Sequence, residues 1–381
     1  MRSVATALVL SLAVLAACSS EGDDSPTDGR SGSSPTGQSS NQSPSQSPSD
    51  VLTATPAPSD PKSATVTRTV VSGLEAPWGL DFLPDGTAVV TERDSRRVLV
   101  IEDGKAREIG TVTQAAPGEE AGLLGVAVSP DFEQDKTLFL YLTTQEDNRI
   151  VRTTYDGKRL GELDPIVTGI PRGMIHDGGR LAFGPDGLLI ASTGDSGDQG
   201  TAQDEDSLGG KILRMTPEGK PAPGNPNDDL VLSLGHRNVQ GLAFDSTGQL
   251  WASEFGSQEF DELNRIEAGR NYGWPQFEGE GGTDQMTDPQ VVWSTDEASP
   301  SGLAFAEGHL WMASLRGERL WRVDVAGGKA SAPKDFFVGD YGRLRTVALA
   351  PNGKLWLTTS NRDGRGDPAK GDDRILEVTL K

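Results

Sequence analysis

Along residues 66–381, apolar and polar positions alternate in short runs, broken repeatedly by glycine, proline and aspartate. Six runs share one shape: a small residue, an alternating apolar strand, a tight turn and a second apolar strand. The first three are Gly79-Leu80-Asp81-Phe82-Leu83-Pro84-Asp85-Gly86, Gly125-Val126-Ala127-Val128-Ser129-Pro130-Asp131 and Leu181-Ala182-Phe183-Gly184-Pro185-Asp186-Gly187. The others begin at Leu242-Ala243-Phe244, Leu303-Ala304-Phe305 and Val347-Ala348-Leu349. Pro-Asp-Gly between two apolar runs sets a turn, because proline presets φ and glycine accepts φ > 0. The runs lie about 44 to 61 residues apart, room for one four-stranded blade each. No long stretch carries a 3.6-residue apolar period, so helices should be few and short. The pattern predicts an all-β protein: a six-bladed β-propeller with four-stranded blades, closed by joining a strand from one end of the body to the blade at the other. Trp251, Trp311, Trp321 and Trp356 fall in predicted strands, where packing between blades is the expected role.

The first 64 residues read differently. Arg2 precedes an apolar run, Leu8 to Ala17, too short to span a bilayer. It ends in Leu15-Ala16-Ala17-Cys18, which resembles the lipobox of bacterial lipoproteins. That resemblance implies lipidation of Cys18, removal of the segment before it, and an extracytoplasmic protein anchored to the cell membrane. Cys18 is the single cysteine, so the body has no disulfide and no thiolate chemistry. Residues 19–64 are rich in Ser, Pro, Thr, Gly and Gln and cannot bury enough apolar surface to offset ordering entropy. They are expected to form a flexible tether between the signal at 1–18 and a propeller at 65–381.

Charge narrows the choice of partner. Of a formal net charge of -21, -18 falls on residues 65–381, a balance poorly suited to nucleic acid or anionic lipid. Three polar islands therefore stand out: Ile175-His176-Asp177-Gly178-Gly179-Arg180-Leu181, Gly235-His236-Arg237-Asn238 and Arg343-Leu344-Arg345. They occupy equivalent places in the repeat, so a ring of blades would gather them at one end of the central channel. Arginines meeting there in an acidic body point to an anionic, redox-active ligand.

Only three histidines are present. His309 reads as structural, and His236 could serve by hydrogen bonding to backbone. His176 enters an inner strand, and Asp195 lies at the same end of the hairpin turning at Pro185-Asp186-Gly187. A carboxylate beside imidazole would fix the tautomer and stabilise the imidazolium, as a general base requires; a structural hydrogen bond is the other reading. The stretch from Glu254 to Glu262 offers carboxylates and loop carbonyls suited to a hard cation such as Ca²⁺, without the spacing of an EF-hand. The loops 195–200 and 361–367 also look like cation loops, with solvated turns as the simpler reading. Scattered histidines and absent thiols make a structural zinc site a poor fit. No nucleophile elbow, dinucleotide fingerprint or Walker loop is present.

Taken together, several motifs resemble the pyrroloquinoline quinone-dependent (PQQ-dependent) glucose and aldose sugar dehydrogenases. They are Ala76-Pro77-Trp78-Gly79-Leu80, Gly122-Leu123-Leu124-Gly125, His176-Asp177-Gly178-Gly179-Arg180-Leu181 and Gly235-His236-Arg237-Asn238-Val239-Gln240-Gly241-Leu242. They continue as Asp261-Glu262-Leu263-Asn264, Asn271-Tyr272-Gly273-Trp274-Pro275, Ser314-Leu315-Arg316-Gly317 and Arg343-Leu344-Arg345. The resemblance implies a six-bladed propeller that oxidises C1 of an aldose to the lactone. In it His176 would take the anomeric hydroxyl proton, Asp195 would orient His176, and Arg237 would stabilise charge on the reduced quinone. Asn238, Arg343 and Arg345 would hold the cofactor, with Glu120 and Arg316 also in contact. Ca²⁺ would sit on the carbonyls of Gly256 and Ser257, and a second, structural Ca²⁺ on Glu262 and the Tyr272 backbone.

This chain departs from the family pattern in places. Glu120 stands where Gln is usual, a charge repulsive to an acidic quinone unless protonated or facing the metal. Arg316 replaces a common Lys, and Phe255 and Ser257 replace frequent His and Pro, a change that backbone ligation survives. Ile175 precedes the base where the glucose branch has Asp, so an aldose enzyme of broad specificity is expected rather than a glucose enzyme. The electron acceptor is unassigned. Two other classes remain: a Ca²⁺-dependent lactonase-type propeller, which would need acidic or Asn ligands down the channel, and a non-catalytic sugar-binding propeller.

Overall fold

The computed structural model describes residues 62–381. The signal segment, Cys18 and all but the last three residues of the expected tether lie outside the described residues. The first strand is β1 (Ala64–Ser72). Five sheets follow, each four strands in sequence order. They are β2 to β5 (Pro77–Phe82, Ala88–Glu92, Arg97–Glu102, Lys105–Thr111) and β6 to β9 (Leu123–Val128, Thr137–Thr143, Asn148–Thr154, Asp164–Ile170). Next come β10 to β13 (Leu181–Phe183, Leu189–Ser192, Lys211–Met215, Val231–Leu234) and β14 to β17 (Val239–Phe244, Leu250–Glu254, Phe260–Arg265, Val291–Ser294). The fifth is β18 to β21 (Pro300–Ala306, His309–Ser314, Arg319–Ala326, Lys329–Phe336). The sixth sheet is β22 (Leu344–Leu349), β23 (Leu355–Thr359) and β24 (Arg374–Leu380), with β1 as its outer strand. The ring is closed as expected: β1 runs antiparallel to β24 from Ala64↔Leu380 to Ser72↔Arg374.

The recurring small residue of the repeat has a steric cause. Innermost strands of neighbouring blades approach so closely that a Cβ on Gly125 would lie 2.2 Å from the Gly179 carbonyl oxygen, and one on Gly241 would lie 2.3 Å from that of Ser301. Five of the six innermost strands also carry a bulge at this place, between Pro77 and Leu80, Leu123 and Val126, Val239 and Gly241, Pro300 and Leu303, and Leu344 and Val347. A bulge bends the strand and re-aims side chains, here at the channel end where the polar islands sit.

Helix is scarce among the described residues: one four-residue turn, Phe132–Asp135, and one 3-10 turn, Gln199–Ala202. The core lies between blades. Trp251 and Trp311 are fully buried, Trp356 meets Phe82 edge-on at 5.1 Å between ring centres, and Trp321 packs on Trp293 at 5.6 Å. The tryptophans singled out in sequence are packing residues.

Candidate active site

The three polar islands meet. His176, Arg237, Asn238, Arg343 and Arg345 line one cavity of about 420 Å³ at one end of the channel, together with Glu120, Gly256, Ser257 and Arg316. His176, Arg237, Asn238, Arg343, Arg345 and Glu120 are carried on loops or bulges at the mouths of innermost strands, whereas Gly256 and Ser257 lie between β15 and β16 and Arg316 between β19 and β20. His176 holds a left-handed backbone, φ 61°, uncommon outside glycine. The turn is fixed from both sides: the Glu120 carboxylate accepts the His176 N–H at 2.9 Å, and the His176 carbonyl accepts the Ser196 N–H at 3.1 Å.

Asp195 lies behind the imidazole. Its Oδ1 is 2.6 Å from His176 Nδ1, and it also accepts the Gly197 N–H at 2.8 Å, while Oδ2 accepts the Trp274 indole N–H at 2.8 Å. Burial opposes ionisation of Asp195, but these bonds outweigh it and hold the carboxylate below its usual range. An ionised Asp195 places the imidazole proton on Nδ1. His176 Nε2 is then the nitrogen left to accept a proton.

The cationic side is equally ordered. Arg343 and Arg345 share the buried carboxylate of Asp363, at 3.1 and 3.4 Å, and Arg345 also donates to Ser360 and Gln240, each at 3.1 Å. Burial pulls Arg345 down to about 10. The Arg345 guanidinium also lies 5.9 Å from the Trp78 ring, and Arg237 lies 5.3 Å from that of Trp274. Burial lowers Arg237 as well, against the pull of Asp195 and other carboxylates. Arg237 donates to the Phe255 carbonyl at 3.3 Å, yet its buried Nε has no partner.

Several expectations need correction. Glu120 is turned to the His176 N–H and to Arg365. Burial raises its cost of ionisation, but the His176 N–H and Arg365 prevail and hold it below the ordinary range. Its Oε1 accepts from Arg365 at 2.9 Å, so the charge is already met inside the protein. Arg316 reaches the rim only: it pairs with Asp296 at 2.7 Å, with its side chain 62% exposed. His236 bonds to side chains rather than backbone, Nδ1 to Glu254 at 2.8 Å and Nε2 to Ser233 at 2.9 Å, and stacks on Tyr272 at 4.7 Å. The loops 195–200 and 361–367 are not cation loops. The first spends Asp195 on His176, and the second delivers Asp363 and Arg365 to the cavity.

The metal candidates divide. Among the described residues no described N–H or O–H donates to the carbonyls of Gly256 or Ser257, which line the cavity. They are free oxygen ligands of the kind a hard cation takes. Glu262 and Tyr272 lie outside that cavity. Glu262 accepts from Gly279 N–H at 2.7 Å and Asn264 at 3.0 Å; burial, with Glu254 nearby, pushes it up to about 8. The Asn264 carbonyl oxygen beside it is buried and unpartnered. The Tyr272 hydroxyl is spent on the Arg265 carbonyl at 2.6 Å.

Sequence reasoning missed Arg93, Asp363, Arg365, Asp261, Gln240 and Trp78 in the cavity lining and Trp274 behind Asp195. Arginines clustered in an acidic background, the signal that revealed Arg343 and Arg345, was also present at Arg362 and Arg365.

A β-propeller with an Asp-bound histidine and arginines around one channel mouth defines a class, and comparison places the chain within it. The profile of the Glucose / Sorbosone dehydrogenase family matches residues 74–368, and the chain belongs to that family. It is 55% identical to the PQQ-bound aldose sugar dehydrogenase of Streptomyces coelicolor, at a TM-score of 0.82, over 84% of this chain and 98% of that one. It is 28% identical to an aldose sugar dehydrogenase of Escherichia coli, over 76% of this chain and 89% of the relative. Quinoprotein glucose dehydrogenase B of Acinetobacter calcoaceticus is 30% identical, over 56% of this chain and 52% of that protein.

Proposed function

We propose that this protein is a PQQ- and Ca²⁺-dependent aldose dehydrogenase that oxidises the anomeric carbon of a sugar to the lactone. One observation carries the reading: His176, backed by Asp195, shares a cavity with Arg237, Arg343 and Arg345, and the buried Arg237 Nε has no partner. The residues fit the cofactor. Six arginines line the cavity against three carboxylates, and those carboxylates are held by arginines or backbone N–H groups. The surplus suits a planar tricarboxylate such as PQQ. Arg343 and Arg345 would hold its carboxylates with Asn238, Arg237 would meet charge developing on its carbonyl oxygen, and the Gly256 and Ser257 carbonyls would hold Ca²⁺. Glu262 and Tyr272 would serve a second, structural ion.

When bound, PQQ supplies the two-electron acceptor for the C1 hydride, and Ca²⁺ polarises its carbonyl. The chain's own work is proton transfer and placement. His176 Nε2 takes the proton from the C1 hydroxyl, Asp195 stabilises the imidazolium, and Glu120 holds the strained His176 backbone in position. The arginine surplus argues against a lactonase, which would require several free acidic or Asn ligands down the channel. Cys18 and the 19–64 tether, as read from sequence, would attach the enzyme to the outer face of the cell membrane.

The test is turnover. Apo-protein given PQQ and Ca²⁺ should oxidise aldoses with an artificial acceptor, and His176→Ala should lose turnover by on the order of 10²-fold or more while retaining the quinone. A His176→Ala protein with full activity would remove the catalytic assignment.

A further inference from the structure

Between β15 and β16 the chain crosses the cavity rim, and every N–H from Gly256 to Phe260 ends on a carboxylate. Gly256 donates to Asp261 at 2.8 Å. The next four, Ser257, Gln258, Glu259 and Phe260, all donate to one oxygen, Oε1 of Glu278, at 2.7, 3.0, 2.9 and 3.0 Å. A run of converging N–H groups forms a concave anion seat, and here a side chain of the same protein fills it. The fit is close, because a Cβ at Gly256 would lie 1.8 Å from the Phe260 carbonyl oxygen and 2.7 Å from Glu278 Oε1.

This seat sets the direction of two carbonyls. A trans peptide is planar, with its N–H and C=O pointing opposite ways. The Gly256 carbonyl shares a plane with the Ser257 N–H, and the Ser257 carbonyl shares one with the Gln258 N–H. Both N–H groups face Glu278, so both carbonyls face away from it. Gly256 and Ser257 line the cavity, whereas Glu278 does not. The loop is tied by one anion on its inner side and leaves two oxygen acceptors free on the other.

We propose that Glu278 is a positioning residue for a divalent cation: its carboxylate gathers the loop N–H groups and holds the Gly256 and Ser257 carbonyls ready as ligands. The inference rests on the reading above that these carbonyls bind Ca²⁺. Without the tie, the cation would itself have to order the loop, and the entropy lost would be deducted from its affinity. Gln keeps the accepting oxygen but loses the charge that suits an anion seat, so it should serve better than Ala and less well than Glu.

The experiment is calorimetric titration of quinone-free protein with Ca²⁺ for the native chain, Glu278→Ala and Glu278→Gln, with amide exchange at 257–260 and Tm measured alongside. Glu278→Ala should bind Ca²⁺ about tenfold more weakly or worse and expose the four amides to exchange, with Tm nearly unchanged. Glu278→Gln should fall between Glu278→Ala and native affinity. Native affinity in Glu278→Ala would overturn the proposal, and so would equal losses in both variants, which would make the charge itself the cause. A native protein that binds no Ca²⁺ yet protects these amides would remove the cation reading, and the positioning role with it.

Discussion

His176 is the residue on which most of the site converges. Its ring is fixed by Asp195, Asp195 is fixed by Trp274 and Gly197, and its backbone is fixed by Glu120. Asp195→Asn should therefore keep the fold and the quinone but lower kcat on the order of 10²- to 10⁴-fold, because the amide cannot stabilise an imidazolium. The sign of the pH effect on stability follows from the depressed Asp195. A carboxylate lowered on folding contributes stability that is complete above its unfolded pKa of about 3.9 and is lost as pH falls through its lower folded value. The stability margin of native protein over Asp195→Asn should therefore shrink as pH falls below about 5 and be lost in stronger acid; an acid-unfolding series checks this. Glu120→Gln should act in another way: it leaves Arg365 with only the longer pairing to Glu119 at 3.7 Å, so quinone affinity should rise by roughly threefold to tenfold and become more salt-sensitive. At this scale the sequence revealed the histidine and the central arginines because they sat in recognisable islands, and the aspartate because it lay at the same end of the hairpin as the histidine. It did not reveal Trp274, which is 79 positions from the aspartate it holds. Nor could it show that Asp363 and Arg365, in a turn-like stretch, fold inward between Arg343 and Glu120.

At the scale of strands, the glycine in four of the six innermost strands (Gly79, Gly125, Gly241 and Gly302) and the bulges in five of them turn the inner edge of a blade towards the channel mouth. Gly125→Ala meets the Gly179 carbonyl, and Gly179 lies three residues beyond His176. Relieving that overlap should cost about 1–3 kcal/mol, a Tm drop of several degrees, with catalysis impaired along with stability. A Tm equal to that of native protein would show that the blades are not packed as closely as described. The repeat itself was plain from sequence because turn chemistry and alternation agree at each blade. The third blade was harder to delimit, since its inner strand is only Leu181–Phe183 and its second and third strands are separated by the loop that carries Asp195.

Across the whole molecule, the arrangement is a local inversion of sign. A propeller whose residues 65–381 carry a formal net charge of -18 surrounds a cavity where six arginines face three carboxylates. The acidic exterior would repel a polyanion and the mouth would hold it, so quinone capture should weaken as ionic strength rises within the cavity's reach and slow at low salt from the outside. The composition alone gave only the acidic total; where the positive charge collects depends on how β22 and the loop after β23 come together. The most direct measurement is the stoichiometry of PQQ retained by apo-protein after incubation with Ca²⁺ and desalting, for the native chain and for Arg343→Ala/Arg345→Ala. About one quinone per native chain, with the double variant losing most of it, is the result expected of a guanidinium cradle. Native protein emerging without quinone, or a double variant that keeps it undiminished, would contradict that account.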